Sequence, residues 1–219
     1  MKLSLIFILA YLIGSFPSGV IIGRVFCHKD PRDAGSHNIG TTNSYRVLGP
    51  IAGTAVLFLD ILKGTLAASL PMIFHTSNHS LVLVVGLVMR LLAMPTLSFY
   101  ALQVAKPLQP AAGILLAYNP LFFVIASTIF ISVILITSMV SMASIIGPLL
   151  IAILSFYTHD WLLGTIATLV LIFLTYRHRE NISRIKNGTE NLVPFGLYYR
   201  YKQKNANKGV FLCDHLKIN

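Results

Sequence analysis

The side chains best suited to chemistry lie in one short polar segment, residues 35–46, which reads Gly-Ser-His-Asn-Ile-Gly-Thr-Thr-Asn-Ser-Tyr-Arg. Glycines let backbone N–H groups approach a ligand closely, and successive N–H groups can form a concave anion site. Arg46 adds a guanidinium fork suited to phosphate, and Thr41, Thr42 and Asn43 add hydroxyl and amide groups. The segment predicts a phosphate-binding loop, and a solvated connector between helices is the alternative.

A second polar feature is a pair of opposite charges, Asp60 and Lys63, inside an apolar stretch. Residues three apart lie on adjacent turns of one helix, so the two side chains can meet. Charges inside a membrane are costly and usually mark function, and a structural ion pair is the alternative. We expect this pair to support the polar segment rather than to bind a ligand directly.

These groups must be positioned by membrane-spanning helices, because the composition excludes an ordinary soluble domain. Of the 219 residues, 55% are hydrophobic and only 11% are charged, against roughly 25% charged in soluble domains. The net charge of +10 is concentrated in one loop and the tail. The positive-inside rule and anionic lipid headgroups explain it better than a nucleic-acid partner does. Two distant cysteines, Cys27 and Cys213, do not form a disulfide framework.

The apolar stretches predict an all-α integral membrane protein with seven transmembrane helices. Basic residues around 24–46 and after Arg177 place the N-terminus outside and the C-terminus in the cytoplasm. The whole chain, 1–219, is predicted to be one polytopic membrane domain, with a helical bundle over about 1–190 and a basic cytoplasmic tail over 191–219. We expect the first span to be retained and Pro17 to kink it, and a polar break at 138–144. The predicted spans are 3–26, 50–74, 80–97, 109–118, 121–137, 145–157 and 161–176.

Five motifs, in this order and spacing, resemble the bacterial acyl-phosphate:glycerol-3-phosphate acyltransferases, the PlsY family. Together they cover nearly the whole chain. The motifs are Gly14-Ser15-x-Pro17-Ser18-Gly19, Gly35-Ser36-x-Asn38-x-Gly40-x-Thr42-Asn43-x-x-Arg46, Asp60-x-x-Lys63-Gly64, Val140-Ser141 and Arg177-His178-x-x-Asn181-Ile182-x-Arg184.

The resemblance implies a multi-pass enzyme of the bacterial inner membrane with a site at its cytoplasmic face. Such an enzyme moves a fatty acyl group from acyl phosphate to the 1-hydroxyl of glycerol 3-phosphate and gives lysophosphatidic acid. It needs no metal and no cofactor, and a PlsX-type enzyme upstream makes its acyl phosphate. By resemblance, the catalytic residues are Ser36, Arg46, Ser141, His178 and Asn181, and the substrate-binding residues are Asn38, Gly40, Thr42, Asn43 and Lys106.

One departure from the family is large, because the glycine-rich motif G-H-x-x-P…F-x-G-G-K-x-V-A-T is absent from residues 89–110. Codons for Gln103–Pro110 can be chosen so that a shifted reading frame gives Gly-Gly-Lys-Ala-Val-Ala-Thr. We therefore predict two compensating frameshifts, near residues 89–90 and 110–111. Lys106 falls next to the position of the family lysine, so the charge is kept while the glycine cradle is lost. The change predicts weak or no activity.

Two rival functions are open at this point. A small transporter or channel for a phosphorylated or anionic solute would also use charges such as Asp60 and Lys63. Transporters, however, bring polar groups to the bilayer midplane, often through inverted repeats, and this chain shows no repeat. An inactive membrane scaffold is the third possibility, and the altered segment favours it.

Overall fold

The protein is described here by a computed structural model that covers residues 2–35, 37, 39–76, 78–92 and 108–205. All regular secondary structure among these residues is helical. The chain divides into two compact units, Met1–Phe123 and Val124–Asn219. Eleven helices are described. They are α1 (Lys2–Gly14), α2 (Ser18–Phe26), α3 (Thr41–Leu48), α4 (Pro50–Ile73), α5 (Ser80–Leu92), α6 (Leu108–Tyr118), α7 (Pro120–Thr137), α8 (Val140–Tyr157), α9 (Trp161–Arg177), α10 (Arg179–Lys186) and α11 (197–205).

Several of these helices are long and apolar enough to cross a bilayer. Within the described ranges these are Lys2–Phe26 taken as one span, Pro50–Ile73, Pro120–Thr137 and Val140–Tyr157. Trp161–Arg177 with Arg179–Lys186 makes a fifth candidate, bent by 62° between its two parts. Large apolar side chains on their outer surfaces, such as Phe58 and Ile131, are exposed, as expected for helices solvated by lipid. The chain is thus an all-helical integral membrane protein.

In the first unit, α1, α4 and α5 pack around a small apolar core that includes Ile6, Ala67 and Val85. The helix breaks between α1 and α2 at residues 15–17, which confirms the irregularity predicted at Pro17. Helix α6 packs closely on α4, and the Thr65 hydroxyl of α4 donates to the Gly113 carbonyl of α6 at 3.1 Å. A Cβ on Gly113 would collide with the backbone of α4 at Ile61 and Gly64.

The polar segment 35–46 is only partly a loop, which corrects the prediction. Helix α3 begins at Thr41 and folds back antiparallel on the start of α4. Tyr45 shares a hydrogen bond of 2.7 Å with Thr54, and Gly53 lies under the Tyr45 ring. The turn between the two helices is made by Gly49, whose φ of 90° is the left-handed region that favours glycine.

In the second unit, the break predicted at 138–144 is wrong in extent. Only Ser138 and Met139 separate α7 from α8, and Ser138 has a φ of 57°. Ser144 lies within α8, and its hydroxyl donates to the Val140 carbonyl at 2.9 Å, so the polar group has a partner inside the helix. Helices α8 and α9 pack as an antiparallel pair, joined at Asp160, whose carboxylate accepts from the Leu163 N–H.

Candidate functional site

The first unit is organised around a buried carboxylate, that of Asp60, which is 5% exposed. It accepts hydrogen bonds from the hydroxyls of Ser18 on α2 and Thr41 on α3, the latter at 3.4 Å. Lys63 forms an ion pair with it at 2.7 Å and also donates to the Phe16 carbonyl at 3.1 Å. The carboxylate therefore joins α2, α3 and α4.

The segment before α3 is tied down by Asn43, one of the predicted binding residues. Asn43 is 1% exposed, and its amide donates to the Pro31 carbonyl at 2.6 Å and to the Ala34 carbonyl at 3.1 Å. Gly35, with φ 69°, lies against the Asn43 side chain, where a Cβ would collide with it. Asn43 thus shapes the polar segment and does not point into open space.

The preceding turn is fixed by charge. The Asp30 carboxylate accepts hydrogen bonds from Arg32 at 2.7 Å and from Arg24 at 3.1 Å. The hydrogen bond from Arg32 is the main reason why the pKa of Asp30 lies well below its usual value. This carboxylate is therefore ionised at neutral pH and holds the turn through its two arginines.

The remaining predicted residues of this unit lie on the outer side of α3. Arg46 is in the last turn of α3 and is exposed, and Thr42 in the first turn is also exposed. Gly40 is the residue that caps the N-terminus of α3, and its carbonyl accepts from Asn43 and Ser44 N–H groups. The exposed charge of Arg46 is available to an anion. Ser36, Asn38 and Lys106 lie outside the described residues.

The second unit contains another buried carboxylate, that of Glu190, which is 7% exposed. Its Oε1 accepts from the Ser141 hydroxyl at 2.6 Å and from the Asn181 amide at 2.8 Å. Its Oε2 accepts from Arg184 Nε at 3.0 Å. Two predicted catalytic residues, Ser141 and Asn181, are therefore held on one oxygen atom.

Opposing effects act on the pKa of Glu190. Burial raises this pKa. The hydrogen bonds from Ser141, Asn181 and Arg184 together lower it by more, so the net pKa is below the usual value of 4.5. Glu190 is therefore an ionised acceptor at neutral pH and keeps the Ser141 hydroxyl turned toward it.

His178, the third predicted catalytic residue of this unit, marks the bend between α9 and α10. It is 3% exposed. Its backbone N–H donates to the Leu174 carbonyl at 2.8 Å, and its backbone carbonyl accepts from the Ile182 N–H at 2.8 Å. Because α10 begins directly after it, Asn181 lies one turn further along. The 62° bend sets the direction in which α10 carries Asn181 and Arg184.

Sequence reasoning missed three residues of these sets, Ser18, Arg184 and Glu190, as site components. Glu190 had a signal, since the chain has only seven Asp and Glu residues in 219, and a scarce carboxylate next to a basic helix is a candidate partner. Ser18 and Arg184 were noted within motifs, but their link to a buried carboxylate depends on the fold.

The fold and these two polar sets define an integral membrane protein with buried, hydrogen-bonded polar groups attached to its spans. Residues 4–188 match the family model described as "Glycerol-3-phosphate acyltransferase". The chain belongs to the glycerol-3-phosphate acyltransferase family, and it is an acyltransferase of membrane lipid synthesis.

Relatives of the same name are similar over nearly their whole length. The glycerol-3-phosphate acyltransferase of Latilactobacillus sakei is 89% identical over 204 residues, which cover 93% of this chain and 98% of the relative. That of Lactiplantibacillus plantarum is 52% identical over 210 residues, which cover 95% and 100%.

Two solved structures share the fold. The crystal structure of PlsY (YgiH), an integral membrane glycerol 3-phosphate acyltransferase, in its glycerol 3-phosphate form has a TM-score of 0.73 and 29% identity, covering 86% of this chain and 94% of that one. The form with lysophosphatidic acid has a TM-score of 0.72 and 28% identity. These findings confirm the resemblance to the PlsY family.

Proposed function

We propose that this protein transfers a fatty acyl group from acyl phosphate to the 1-hydroxyl of glycerol 3-phosphate and releases lysophosphatidic acid and inorganic phosphate. The hydroxyl oxygen attacks the acyl carbonyl carbon, and the bond between that carbon and the phosphate oxygen breaks. The hydroxyl proton passes to His178 or to a phosphate oxygen of a substrate. Because acyl phosphate is already activated, holding the two substrates in contact supplies most of the rate.

The observation that carries the proposal is the joining of Ser141 and Asn181 through Glu190. The bonds of 2.6 Å and 2.8 Å to one buried oxygen fix both side chains. Fixed polar groups need no reorganisation when charge develops on the substrates. In this proposal Ser141, His178 and Asn181 contact the glycerol 3-phosphate, and Arg184 stays with Glu190.

Phosphate is assigned to the polar segment and its arginine. The exposed guanidinium of Arg46 binds a substrate phosphate, together with Lys106, and the 35–43 segment adds Ser36, Asn38, Gly40 and Thr42. Asn43, Asp60 and Lys63 are assigned to support, because Asn43 ties α3 to the segment before it and Asp60, paired with Lys63, ties α4 to α2 and α3.

The topology we propose has seven spans, with the N-terminus outside and the C-terminus in the cytoplasm, in the bacterial inner membrane. The two spans beyond the candidates named above are α5 (Ser80–Leu92) and α6 (Leu108–Tyr118). The site opens to the cytoplasm, where a PlsX-type enzyme supplies acyl phosphate, and residues 1–219 act as one membrane domain with a tail from 191.

The altered segment 89–110 bears on activity. Two compensating frameshifts, near residues 89–90 and 110–111, would replace this stretch and leave the rest of the chain as in the family. The gene's nucleotide sequence tests it. Codons that give Gly-Gly-Lys-Ala-Val-Ala-Thr in the shifted frame support the frameshift, and codons that cannot give it reject it.

A comparison of two acyl donors tests the proposed reaction. Membranes containing the chain with Gly-Gly-Lys-Ala-Val-Ala-Thr restored in the 103–110 segment are supplied with labelled glycerol 3-phosphate and either palmitoyl phosphate or palmitoyl-CoA. Labelled lysophosphatidic acid should form with palmitoyl phosphate alone. Uptake of the label into sealed vesicles without any donor would instead support the transporter.

A further inference from the structure

Helix α11 (197–205) lies beyond residues 4–188, which the family model covers. It is attached to the connection between two membrane spans of its own unit. The Tyr199 N–H donates to Ser138 Oγ at 3.0 Å, and the Val193 N–H donates to the Ser138 carbonyl at 2.9 Å. Ser138 is fully buried between these bonds.

The attachment is close because of one glycine. Gly196 has a φ of 103°, and a Cβ there would lie 2.9 Å from the Leu135 carbonyl oxygen and 2.5 Å from Ser138 Oγ. Ser138 joins α7 to α8, both of which are long enough to cross the bilayer. A connection between two spans lies at the membrane boundary, so α11 begins there too.

One side of α11 is apolar and exposed. Leu197 is 64% exposed, Tyr201 is 64% exposed and Tyr198 is 39% exposed. Positions 197, 198 and 201 fall within an arc of about 100° around a helix of 3.6 residues per turn. The opposite side carries Tyr199 and Gln203, which hydrogen-bond to each other at 2.8 Å.

Positive charge borders this aromatic side. Arg200 and Lys204 flank it and are exposed, and Lys202 on its other edge donates to the Gly188 carbonyl at 3.3 Å. The helix itself carries no acidic residue. Aromatic rings bordered by lysine and arginine are typical of helices that lie in the headgroup layer of anionic membranes.

We propose that α11 is an interfacial helix whose Leu197, Tyr198 and Tyr201 side rests in the headgroup layer of an anionic bilayer, with Arg200 and Lys204 on the lipid phosphates. The occupant of this surface is thus the lipid of the protein's own membrane. The proposal is independent of the acyl donor, since it concerns position and not reaction.

A depth measurement on the full chain tests the proposal. In a background with Cys27→Ser and Cys213→Ser, a spin label is placed at Tyr201→Cys or, as matched control, at Gln203→Cys. The protein is reconstituted in phosphatidylcholine vesicles with or without phosphatidylglycerol, and collision with oxygen and with a water-soluble nickel complex is measured.

With phosphatidylglycerol, the label at 201 should favour oxygen several-fold over the control label at 203, which should favour nickel. Arg200→Gln with Lys204→Gln should reduce the difference and remove its dependence on phosphatidylglycerol. Equal nickel access at 201 and 203 would overturn the proposal. So would spin–spin broadening at 201 that disappears on dilution of the protein in lipid, since it would assign the surface to a second copy.

Discussion

The Glu190 carboxylate accepts a 2.6 Å hydrogen bond from the hydroxyl of Ser141, 49 positions earlier in the chain. The same oxygen atom accepts from Asn181 at 2.8 Å. A segment that follows the last long helix thereby fixes two side chains of the proposed site, one on α8 and one on α10. The position of Ser141 depends on a residue that need not touch substrate.

Replacement of Glu190 by Gln should lower both stability and acyl transfer. The amide oxygen can still accept one bond, but the charged bond to Arg184 is lost, at a cost of about 1.5–3 kcal/mol. We also expect the misplacement of Ser141 and Asn181 to raise the activation free energy by about 1.4 kcal/mol, which is roughly a tenfold fall in kcat. Initial rates and the melting temperature in detergent measure the two effects. Glu180→Gln, on the exposed first turn of α10, is the matched control, and equal effects of both changes would contradict the role.

The lowered pKa of Glu190 predicts an acid-dependent part of the stability. A carboxyl group with a lower pKa in the folded state stabilises the fold above its unfolded pKa, and this contribution is lost as the pH falls through the folded value. The melting temperature of the wild type should therefore exceed that of Glu190→Gln at neutral pH, and the difference should shrink below pH 4.5. Asp30 is present in both proteins, so its effect on the melting temperature cancels in the difference. A constant difference across this range would show that the charge of Glu190 is not responsible.

Loss of the Asp60 charge should be more harmful than loss of the whole ion pair. Asp60→Asn leaves Lys63 without its partner inside the membrane, where removing one member of a buried pair costs about 3–5 kcal/mol. The double change Asp60→Asn with Lys63→Met should recover part of that loss, because it leaves no buried charge. Denaturation in detergent measures both variants. A double variant less stable than Asp60→Asn would contradict the pairing.

The close approach of α6 to α4 predicts that an added methyl group at Gly113 is not tolerated. The Cβ of Gly113→Ala would meet the Ile61 carbonyl and the backbone of Gly64, and overpacking of this kind costs about 1–3 kcal/mol. Gly147→Ala on α8 is the control, since nothing lies within 4 Å of its added Cβ. The melting temperature should fall for Gly113→Ala alone, and an equal fall for both would contradict the packing.

Long apolar stretches could be located from the sequence, because a bilayer demands about 20 apolar residues for each span. Helix α4 was predicted at 50–74 and is Pro50–Ile73, and α9 was predicted at 161–176 and is Trp161–Arg177. The start of α8 was predicted too late, since Ser141 and Ser144 interrupt the apolar pattern of the sequence but lie within the helix with their hydroxyls hydrogen-bonded.

The polar parts of the site were harder to predict. The sequence Thr-Thr-Asn-Ser-Tyr-Arg has weak helix propensity, yet it is helical in α3 because Tyr45 and Thr41 contact α4. The motifs indicated Ser141, His178 and Asn181, and Glu190 follows the last of them by nine positions. Its bond to Ser141, 49 positions away, is set by tertiary structure and could not be predicted from a local pattern.

The most direct test of the account is transfer of palmitate from palmitoyl phosphate to glycerol 3-phosphate by the purified chain. The chain as printed and a version with Gly-Gly-Lys-Ala-Val-Ala-Thr restored in the 103–110 segment are assayed side by side. We predict lysophosphatidic acid from the restored version and much less from the printed chain. If neither makes it while both remain folded, the proposed reaction is contradicted.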